Sequence, residues 1–375
     1  MPATTPPIDA HMLQALELAR QARLDCPPNP AVGCVIAGAD GTVLGQGHTQ
    51  PVGHAHAEVM ALRDAAQRGH SVTGATAYVT LEPCSHQGRT GPCSDALIAA
   101  GIGRVVASVQ DPNPKVGGAG FARLRAAGIE VEIGPGAQET RELNIGFFSR
   151  MVRGIPWVRM KAASSLDGRT ALPNGASQWI TSAAAREDGH AWRARACAVL
   201  TGIGTVLEDD PRLDVRLADV ARQPGLVVVD SRLDTPPGAK LWQASGRSLR
   251  IFTAVDDATR QRPFIERGAE VIVLPDARGK VDLRAMLREL ARREVNEVHV
   301  EAGHQLNGSL VRERLVDELL LYQAPLLLGE GPGIAALGAL HAVDQGVRFE
   351  LHEMRRIGDD ARLLLRARAC RGLRG

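Results

Sequence analysis

A histidine, a glutamate and two cysteines in the first hundred residues could together hold and use a metal ion. His56 and Glu58 are two positions apart, and Cys84 and Cys93 follow with eight residues between them. One imidazole and two thiolates suit zinc and leave a fourth tetrahedral position for water. An open position predicts catalysis, because bound zinc lowers the pKa of water to about 7 and Glu58 can take and return the proton.

These side chains require particular elements around them. Positions two apart point to nearly opposite sides of a regular helix, so His56 and Glu58 can share a site only where a helix begins. We therefore expect both residues at a helix N-terminus. We expect Cys84 at the end of the strand TAYVTLE, and Cys93 just before a helix whose dipole favours its thiolate.

A structural zinc, closed by a fourth protein ligand, is the alternative. His54 or His86 could supply that ligand, and His54 could also replace His56. The spacing of His56 to Glu58 favours the zinc deaminase signature, in which the glutamate shuttles protons while hydroxide attacks an amino-bearing ring carbon. That signature usually has two residues between its cysteines, so the eight found here depart from the nucleic-acid base and cytidine deaminase form.

Length and composition limit the classes of protein. At roughly 150 residues per domain, 375 residues predict two fused domains. The formal net charge of +2 gives no support to a nucleic-acid surface, and 44% hydrophobic with 23% charged residues predicts a soluble, globular chain without a membrane partner. Six Phe, four Trp and two Tyr predict aliphatic cores and no platform for many stacked bases.

The N-terminus and the cysteines indicate the compartment. The first residues lack the basic start and apolar run of a secretion signal, so we expect a cytoplasmic protein. Six cysteines without framework spacing favour reduced thiols or metal ligands over disulfides. Cys26, Cys34, Cys197 and Cys370 have no companions that suggest chemistry, and we interpret them as buried or incidental thiols.

Helical and extended patterns alternate along the chain, which predicts sheets covered by helices. We place a first domain at 1–153, including a helical stretch from Gly134 to Arg150, and a linker at Gly154. The second domain, 154–375, begins with the strand PWVRMKAASS and continues through AVLTG, LVVVD, LRIFT, EVIVL and EVHVEAG. The last 25 residues carry seven Arg against three acids, interpreted as a solvated strand edge and tail.

A dinucleotide fingerprint is incomplete in this chain. The nearest match to GxGxxG, Gly202 to Gly204, lacks the third glycine, which disfavours a conventional Rossmann domain. The strand EVHVEAG instead leads into a glycine-containing loop from Gly303 to Ser309 before a helix. Backbone amides at such a helix start can hold a pyrophosphate, although glycines there also serve packing alone.

Both halves resemble a known family. The run PNP at 28–30, HAEV at 56–59, LEPCSHQGRTGPC at 81–93 and QDPNP at 110–114 resemble the deaminase domain of the bifunctional deaminase-reductase of riboflavin biosynthesis, the RibD family. The stretches KAASSLDGRTA, SQWITS, LTGIGTVLEDDPRL, VVVDS and VEAG resemble its reductase domain. The resemblance implies a cytidine-deaminase-like three-layer α/β/α domain followed by an α/β domain similar to dihydrofolate reductase. Gly91 departs from the family's more frequent Pro, which we expect to alter only the loop.

The resemblance also implies the site residues. In the deaminase domain it implies zinc on His56, Cys84 and Cys93, with Glu58 catalytic and Asn29 and His48 in the pocket. The implied NADPH contacts are Ala163, Trp179, Thr205, Asp209, Ser231, Gly303, His304, Gln305, Leu306, Asn307, Gly308 and Ser309. The implied substrate contacts are Ser177, Arg193, Leu213, Arg216 and Glu301, with Lys161 orienting or polarising the sugar. Two arginines suit a sugar phosphate, because a guanidinium holds phosphate oxygens bidentately; surface ion pairing is the alternative.

The resemblance implies two successive steps on a phosphoribosylated pyrimidine: zinc-dependent deamination, then NADPH-dependent reduction of the ribosyl group to ribityl. It also implies a homo-oligomer, a dimer or larger. The competing hypotheses are a nucleic-acid or nucleoside deaminase fused to a reductase-like domain, a reductase with a decaying deaminase domain, and a non-catalytic zinc-stabilised interaction protein.

Overall fold

The computed structural model describes residues 8–86, 91–114, 116–217 and 222–368. The chain forms two compact units, one up to Arg153 and one from Gly154 onward. Among the described residues, no helix has the length and apolar character needed to cross a membrane. Cys370 and the end of the Arg-rich tail lie outside the described residues.

The described part of the first unit is a five-stranded mixed sheet with helices. Its strands are β1 Gly33–Ala37, β2 Val43–His48, β3 Thr76–Val79, β4 Arg104–Ala107 and β5 Glu130–Ile133. Its helices are α1 Ala10–Ala22, α2 Ala57–Gln67, α3 Cys93–Ala99, α4 Ala119–Ala126, α5 Ala137–Leu143 and α6 Ile145–Arg153. The strand order is β2-β1-β3-β4-β5; β3, β4 and β5 are parallel, and β1 is antiparallel to both of its neighbours.

Both faces of this sheet are covered, as the alternating patterns predict. Successive side chains of a strand point to opposite faces. Cys34 and Ile36 belong to one apolar cluster with residues of α2, α3 and α4. Val35 packs in another cluster with Met12 of α1. Gly33 allows α1 to lie close to β1, because a Cβ at that position would be 1.9 Å from the carbonyl oxygen of Ala15.

The strand register brings the separate motifs of the first unit to one edge of the sheet. Gly33, the first residue of β1, pairs with His48, the last residue of β2. Cys34 pairs with Val79 at the carboxyl end of β3, and β4 runs parallel to β3. The segment before β1 therefore ends at the same edge of the sheet at which the segments after β2, β3 and β4 begin. The PNP, HAEV, LEPC and QDPNP motifs lie in these segments.

The described part of the second unit contains a nine-stranded sheet. Its strands are β6 Trp157–Ser164, β7 Ala198–Gly202, β8 Gly225–Val229, β9 Leu249–Thr253, β10 Ala269–Val273, β11 Glu297–Val300, β12 Glu318–Gln323, β13 Phe349–Ile357 and β14 Asp360–Ala367. Its helices are α7 Ala183–Arg195, α8 Ile203–Asp209, α9 Ala258–Ile265, α10 Leu283–Arg292 and α11 His304–Arg312. The order is β10-β9-β8-β7-β11-β6-β12-β14-β13. The strands from β10 to β12 pair in parallel, and β14 is antiparallel to β12 and β13.

Two local predictions need correction. The helical stretch from Gly134 to Arg150 is two helices separated at Asn144, whose side chain accepts a hydrogen bond from the Ala31 amide and donates one to the Ala31 carbonyl. The C-terminal arginines are not all solvated, because β14 lies inside the sheet and, of the last two strands, only β13 is at an edge. Arg362 and Arg366 are 6% and 4% exposed, so this part of the tail belongs to the folded unit.

Candidate active sites

The predicted zinc ligands converge in the first unit. His56 is the N-cap residue of α2, and Glu58 is in the first turn of that helix. Cys84 follows β3, and Cys93 is the first residue of α3. Nδ1 of His56 lies 3.6 Å from Sγ of Cys84 and 3.4 Å from Sγ of Cys93. Such separations fit a tetrahedral zinc site, in which bonds of about 2.0 to 2.3 Å radiate from one ion.

The two thiols can be ionised together only beside a cation. The hydrogen bond from Cys93, together with His56, lowers the pKa of Cys84 to about 4. The same contact and burial raise the pKa of Cys93, because a thiolate at Cys84 faces it. Two thiolates in contact repel each other, so both can be ionised together only when a positive ion lies between them. The donor set therefore fits zinc.

Glu58 has the properties of a proton carrier. Its side chain is buried, and burial followed by the charge of Cys84 raises its pKa to about 7. A carboxyl group with a pKa near the working pH can both accept and return a proton. The cluster of ligand atoms lying within 4.8 Å of one another contains His56, Cys84 and Cys93 but not Glu58.

The two alternative histidine ligands lie apart from this cluster. His54 and His86 are both exposed. Among the described residues, neither joins the ligand atoms of His56 and the two cysteines. The described side chains thus supply three ligands, which leaves the fourth position open.

Glu82 positions the segment around the site and was missed in the sequence. Its buried carboxylate accepts hydrogen bonds from the backbone amides of Asp111 (3.1 Å), Gly118 (2.9 Å) and Gly120 (2.9 Å). A Cβ at Gly120 would be 1.9 Å from the Pro83 carbonyl oxygen, so this glycine permits the start of α4 to approach the chain just before the first cysteine. The available signal was an acidic residue at a strand end, followed by the glycine-rich VGGAG.

The predicted pocket residues of this unit are half-buried at the same sheet edge. His48 ends β2, and Asn29 precedes β1, where its backbone carbonyl accepts a hydrogen bond from the Cys26 thiol. Asp111 follows β4, and burial raises its pKa to about 7. It also accepts a hydrogen bond of 2.7 Å from the Asn113 amide. The register places these polar residues at the edge that carries Cys84.

The candidate cofactor residues of the second unit follow the carboxyl ends of parallel strands. Ala163 is near the end of β6, Thr205 follows β7, Ser231 follows β8 and Gly303 follows β11. Those strands are neighbours in the order β8-β7-β11-β6, so these residues share one edge. Ligands of open parallel sheets bind at this edge.

The expected loop from Gly303 to Ser309 is largely helical. Gly303 is the N-cap of α11 and has no side-chain cap, and its own amide donates to Oγ1 of Thr205 at 2.9 Å. The uncapped amides of the next turn suit a pyrophosphate. Asn307 and Gly308 face the interior instead: Asn307 donates to the carbonyl oxygens of Ala302 and Ile334.

Two predicted cofactor contacts are exposed and one has a structural partner. Trp179 is 68% exposed, with the guanidinium of Arg186 4.3 Å from its ring centroid. Asp209 is exposed at the end of α8. The hydroxyl of Ser231 accepts a hydrogen bond of 3.2 Å from the Val281 amide.

Among the predicted substrate contacts, Arg193 and Glu301 form a bidentate ion pair. Nε and Nη2 of Arg193 donate to the two carboxylate oxygens of Glu301 at 2.6 and 3.0 Å, and Nη1 donates to the Asp214 carbonyl. Despite burial, Arg193 lowers the pKa of Glu301, so this carboxylate stays ionised. Lys161 faces the pair, and burial lowers its pKa while Glu301 opposes that shift.

The remaining predicted contacts differ in exposure. Arg216 has a side chain 56% exposed, and its Nη1 donates to Asp214 Oδ1 at 2.8 Å. Ser177 is half-buried in the segment before α7. Leu213 is buried in an apolar cluster with Val199 and Val206. The structure thus brings Arg193 and Glu301 together with Lys161, and it places Leu213 mainly in the core.

Two histidines near this pair were missed in the sequence. His299 of β11 is fully buried, with Nε2 3.6 Å from Glu301 Oε1 and no hydrogen-bond partner on either ring nitrogen among the described residues. His190 lies on α7 between the guanidinium groups of Arg193 and Arg216. Neither has a sequence motif, since their surroundings come from distant parts of the chain.

Comparisons with known proteins cover both units. Residues 156–363 match the RibD C-terminal domain, and residues 7–109 match the cytidine and deoxycytidylate deaminase zinc-binding region. The chain is 44% identical over 368 residues to riboflavin biosynthesis protein RibD of Escherichia coli, covering 95% of this chain and 98% of the relative.

Two solved structures are similar along nearly the whole chain. Acinetobacter baumannii RibD has a TM-score of 0.87 at 40% identity, covering 95% of this chain and 98% of the other. A diaminohydroxyphosphoribosylaminopyrimidine deaminase/5-amino-6-(5-phosphoribosylamino)uracil reductase of Thermotoga maritima has a TM-score of 0.84 at 31% identity, covering 95% and 97%.

Proposed function

The chain belongs to the RibD family, and from this membership we propose how its residues divide two reactions of riboflavin biosynthesis between two sites. The chain is an enzyme with a zinc-dependent deaminase domain and an NADPH-dependent reductase domain. The predicted α/β class, with a cytidine-deaminase-like first domain, is confirmed. We assign the deaminase to residues 1–153 and the reductase to residues 154–375.

The first reaction is deamination of 2,5-diamino-6-(5-phosphoribosylamino)pyrimidin-4-one. His56, Cys84 and Cys93 are the proposed zinc ligands, and zinc supplies Lewis-acid activation of water when it is bound. Glu58 accepts a proton and delivers it to the departing amino group, which leaves as ammonia. Support comes from the burial of Glu58 beside the three ligands. Asn29 and His48, at the same sheet edge, are proposed to contact the pyrimidine.

The second reaction reduces the opened ribose of the aminouracil product to a ribityl chain. NADPH supplies the hydride when it is bound. Its proposed contacts are Ala163, Trp179, Thr205, Asp209, Ser231 and the segment from Gly303 to Ser309, except for Asn307 and Gly308, which face the interior. Glu301 and Lys161 hold the reacting part of the sugar, and Ser177 and Leu213 complete the substrate contacts.

The two arginines have different proposed roles. Arg193 has its donors engaged by Glu301 and the Asp214 carbonyl, so it fixes the charge and orientation of Glu301. Arg216 is more exposed and is proposed to bind the sugar phosphate. The geometry supports this division, because one guanidinium fork cannot hold a carboxylate and a phosphate with the same N–H groups.

A single observation carries the deaminase proposal: three ligand atoms lie within 4.8 Å of one another, next to a buried glutamate. The test is Glu58→Gln, with zinc content and ammonia release measured on the same preparation. We expect about one zinc per chain and a loss of about 10²- to 10⁴-fold in the rate of ammonia release. Unchanged ammonia release in a variant that retains zinc would refute the assignment of Glu58.

The proposal extends to partners and compartment. We propose a small-molecule substrate with no nucleic-acid or membrane partner, consistent with the formal net charge of +2. A cytoplasmic location is proposed because the two thiol ligands must stay reduced to bind zinc.

We also propose a homo-oligomer formed through the edge strand β13, where Leu351 and Met354 are 60% and 66% exposed. Light scattering on Met354→Glu should show a smaller assembly; an unchanged mass would exclude this edge.

A further inference from the structure

His190 lies among hydrogen-bond donors on the reductase unit. It is half-buried on α7, one turn before Arg193. Its Nδ1 accepts a hydrogen bond of 3.4 Å from the backbone amide of Arg216 and lies 3.5 Å from Nη1 of Arg193. Its Nε2 lies 3.3 Å from Nη2 of Arg216. Both ring nitrogens therefore face groups that can only donate.

The tautomer of His190 follows from these contacts. Two donors converge on Nδ1, so Nδ1 carries the lone pair, and in the neutral ring the proton is on Nε2. The Nε2–H group and Nη2 of Arg216 are then two donors 3.3 Å apart, and neither can bond to the other. An oxygen acceptor placed beside both would satisfy them together.

The charges around His190 keep it neutral. Burial, followed by the charges of Arg193 on α7 and Arg216 in the segment after α8, lowers its pKa to about 4. Glu301 after β11 and Asp214 act in the opposite direction but less strongly. The imidazole is thus a donor at Nε2 without being a cation, and it does not repel the neighbouring guanidinium groups.

The nearby acidic groups are already engaged by other donors. Glu301 accepts both hydrogen bonds from Arg193. Asp214 pairs through Oδ1 with Arg216 and through Oδ2 with Arg212, each at 2.8 Å. Among the described residues, no carboxylate lies within hydrogen-bond distance of both Nε2 of His190 and Nη2 of Arg216. An external anion with several oxygens would fit between these two donors.

We propose that His190 is a further substrate-binding residue of the reductase site, which donates from Nε2 to a phosphate oxygen of the sugar beside Arg216. The inference rests on the proposed function of this domain and adds a contact to it. A phosphate monoester offers several strong acceptor oxygens, so it can take donors from the imidazole and the guanidinium at once. His190 thereby helps the site distinguish a phosphorylated sugar from a free one.

The test compares His190→Phe with His190→Gln, because a glutamine amide can place a donor near the position of Nε2. Loss of a hydrogen bond to a charged group predicts a rise of about tenfold in the KM of the phosphorylated substrate in His190→Phe, with kcat changed less than about twofold. The inhibition constant of ribose 5-phosphate should rise by a similar factor, while that of ribose stays unchanged. His190→Gln should restore both values to within about threefold of the parent.

Three further measurements separate the possible failures. NADPH affinity and ammonia release report that both units of His190→Phe remain folded. Arg216→Ala is measured with ribose 5-phosphate in parallel. A rise in the inhibition constant for Arg216→Ala but not for His190→Phe would overturn the role of His190 and leave the proposed phosphate contact standing. If the inhibition constant of ribose 5-phosphate rises in neither variant, both the role of His190 and the phosphate contact of Arg216 are overturned. An equal rise in the inhibition constant of ribose would show that His190 only shapes the pocket.

Discussion

The two active sites are built in opposite ways from the same chain. The proposed deaminase site takes His56, Glu58, Cys84 and Cys93 from helix and strand ends that are close in sequence. The proposed reductase site takes its charged groups from β6, α7, the segment after α8 and the end of β11. The first site can be recognised from spacing, whereas the second exists only after distant strands have paired.

The two sites also differ in how their charges are balanced. At the deaminase site the two thiols raise and lower each other's pKa, and nothing in the ligand set itself neutralises two thiolates. At the reductase site the buried carboxylate of Glu301 already has a bidentate partner in Arg193. The first site therefore depends on a bound cation for its charge balance, and the second supplies its own.

Removal of zinc should have the largest effect and should be confined to one site. After treatment with a chelator, we expect ammonia release to fall to background, because the water-activating ion is lost. NADPH oxidation with the aminouracil substrate should change less than about twofold, since Arg193 and Glu301 neutralise each other. Both rates are measured on one preparation before and after zinc is restored. A parallel loss of NADPH oxidation would contradict the independence of the reductase site.

Arg193→Met should destabilise the reductase unit strongly, because it leaves the buried carboxylate of Glu301 without its partner. The expected loss is about 3 to 5 kcal/mol in the free energy of unfolding, measured with urea. Arg216→Met is the matched control, and its largely exposed ion pair should change stability by no more than about 1 kcal/mol. Equal effects of the two substitutions would show that Glu301 is not held as the geometry indicates.

His299→Leu should remove an acid sensitivity of the reductase unit. Burial lowers the pKa of His299 to about 3 in the folded chain, whereas an unfolded histidine titrates near 6.5. The unfolded chain therefore binds more protons between these values, and stability is lost as the pH falls below about 6.5.

The size of this effect is about 1.4 kcal/mol per pH unit, so the parent chain should lose about 2 kcal/mol between pH 6.5 and pH 5 through this residue. His299→Leu should lose correspondingly less over the same range in urea unfolding. At pH 7.5 its stability should be close to that of the parent, since neither ring nitrogen has a hydrogen-bond partner among the described residues. An identical pH dependence in the two proteins would show that His299 is not buried as a neutral ring.

Gly91→Pro should have the smallest effect, at the position where the chain departs from the family pattern. A Cβ on Gly91 has no neighbour within 4 Å apart from the adjacent residues of the chain, so a side chain here meets no tertiary contact at its Cβ. We expect a gain in stability of no more than about 1 kcal/mol, through a restricted unfolded chain. Ammonia release should change less than about twofold. A large loss of activity would show that the loop conformation matters for the deaminase site.

Local chemistry made much of the first site predictable. The spacing of His56 and Glu58 requires a helix N-terminus, and α2 begins there. The role of Glu82 could not be predicted, because the backbone amides that donate to its carboxylate, those of Asp111 and Gly118, are 29 and 36 positions away. The break between α5 and α6 was missed for the same reason, since Asn144 bonds to Ala31 across 113 positions.

In the second unit, strand runs were predictable but the burial of charges was not. The sequence predicted that Arg362 and Arg366 are solvated, because it does not show their ion-pair partners. These partners, Asp188 and Glu318, come from α7 and β12. The position of His190 likewise depends on Arg216, 26 residues further along the chain. A pattern of residue types cannot show which charges pair once a parallel sheet has assembled.

One assay tests the central claim that a single chain performs two ordered reactions at separate sites. The protein is incubated with the diamino substrate, with and without NADPH, while ammonia and NADPH absorbance are followed together. We predict ammonia release without NADPH, and NADPH oxidation only after ammonia appears, reaching one equivalent of each per substrate. NADPH oxidation without ammonia release, or ammonia release that requires NADPH, would contradict this account.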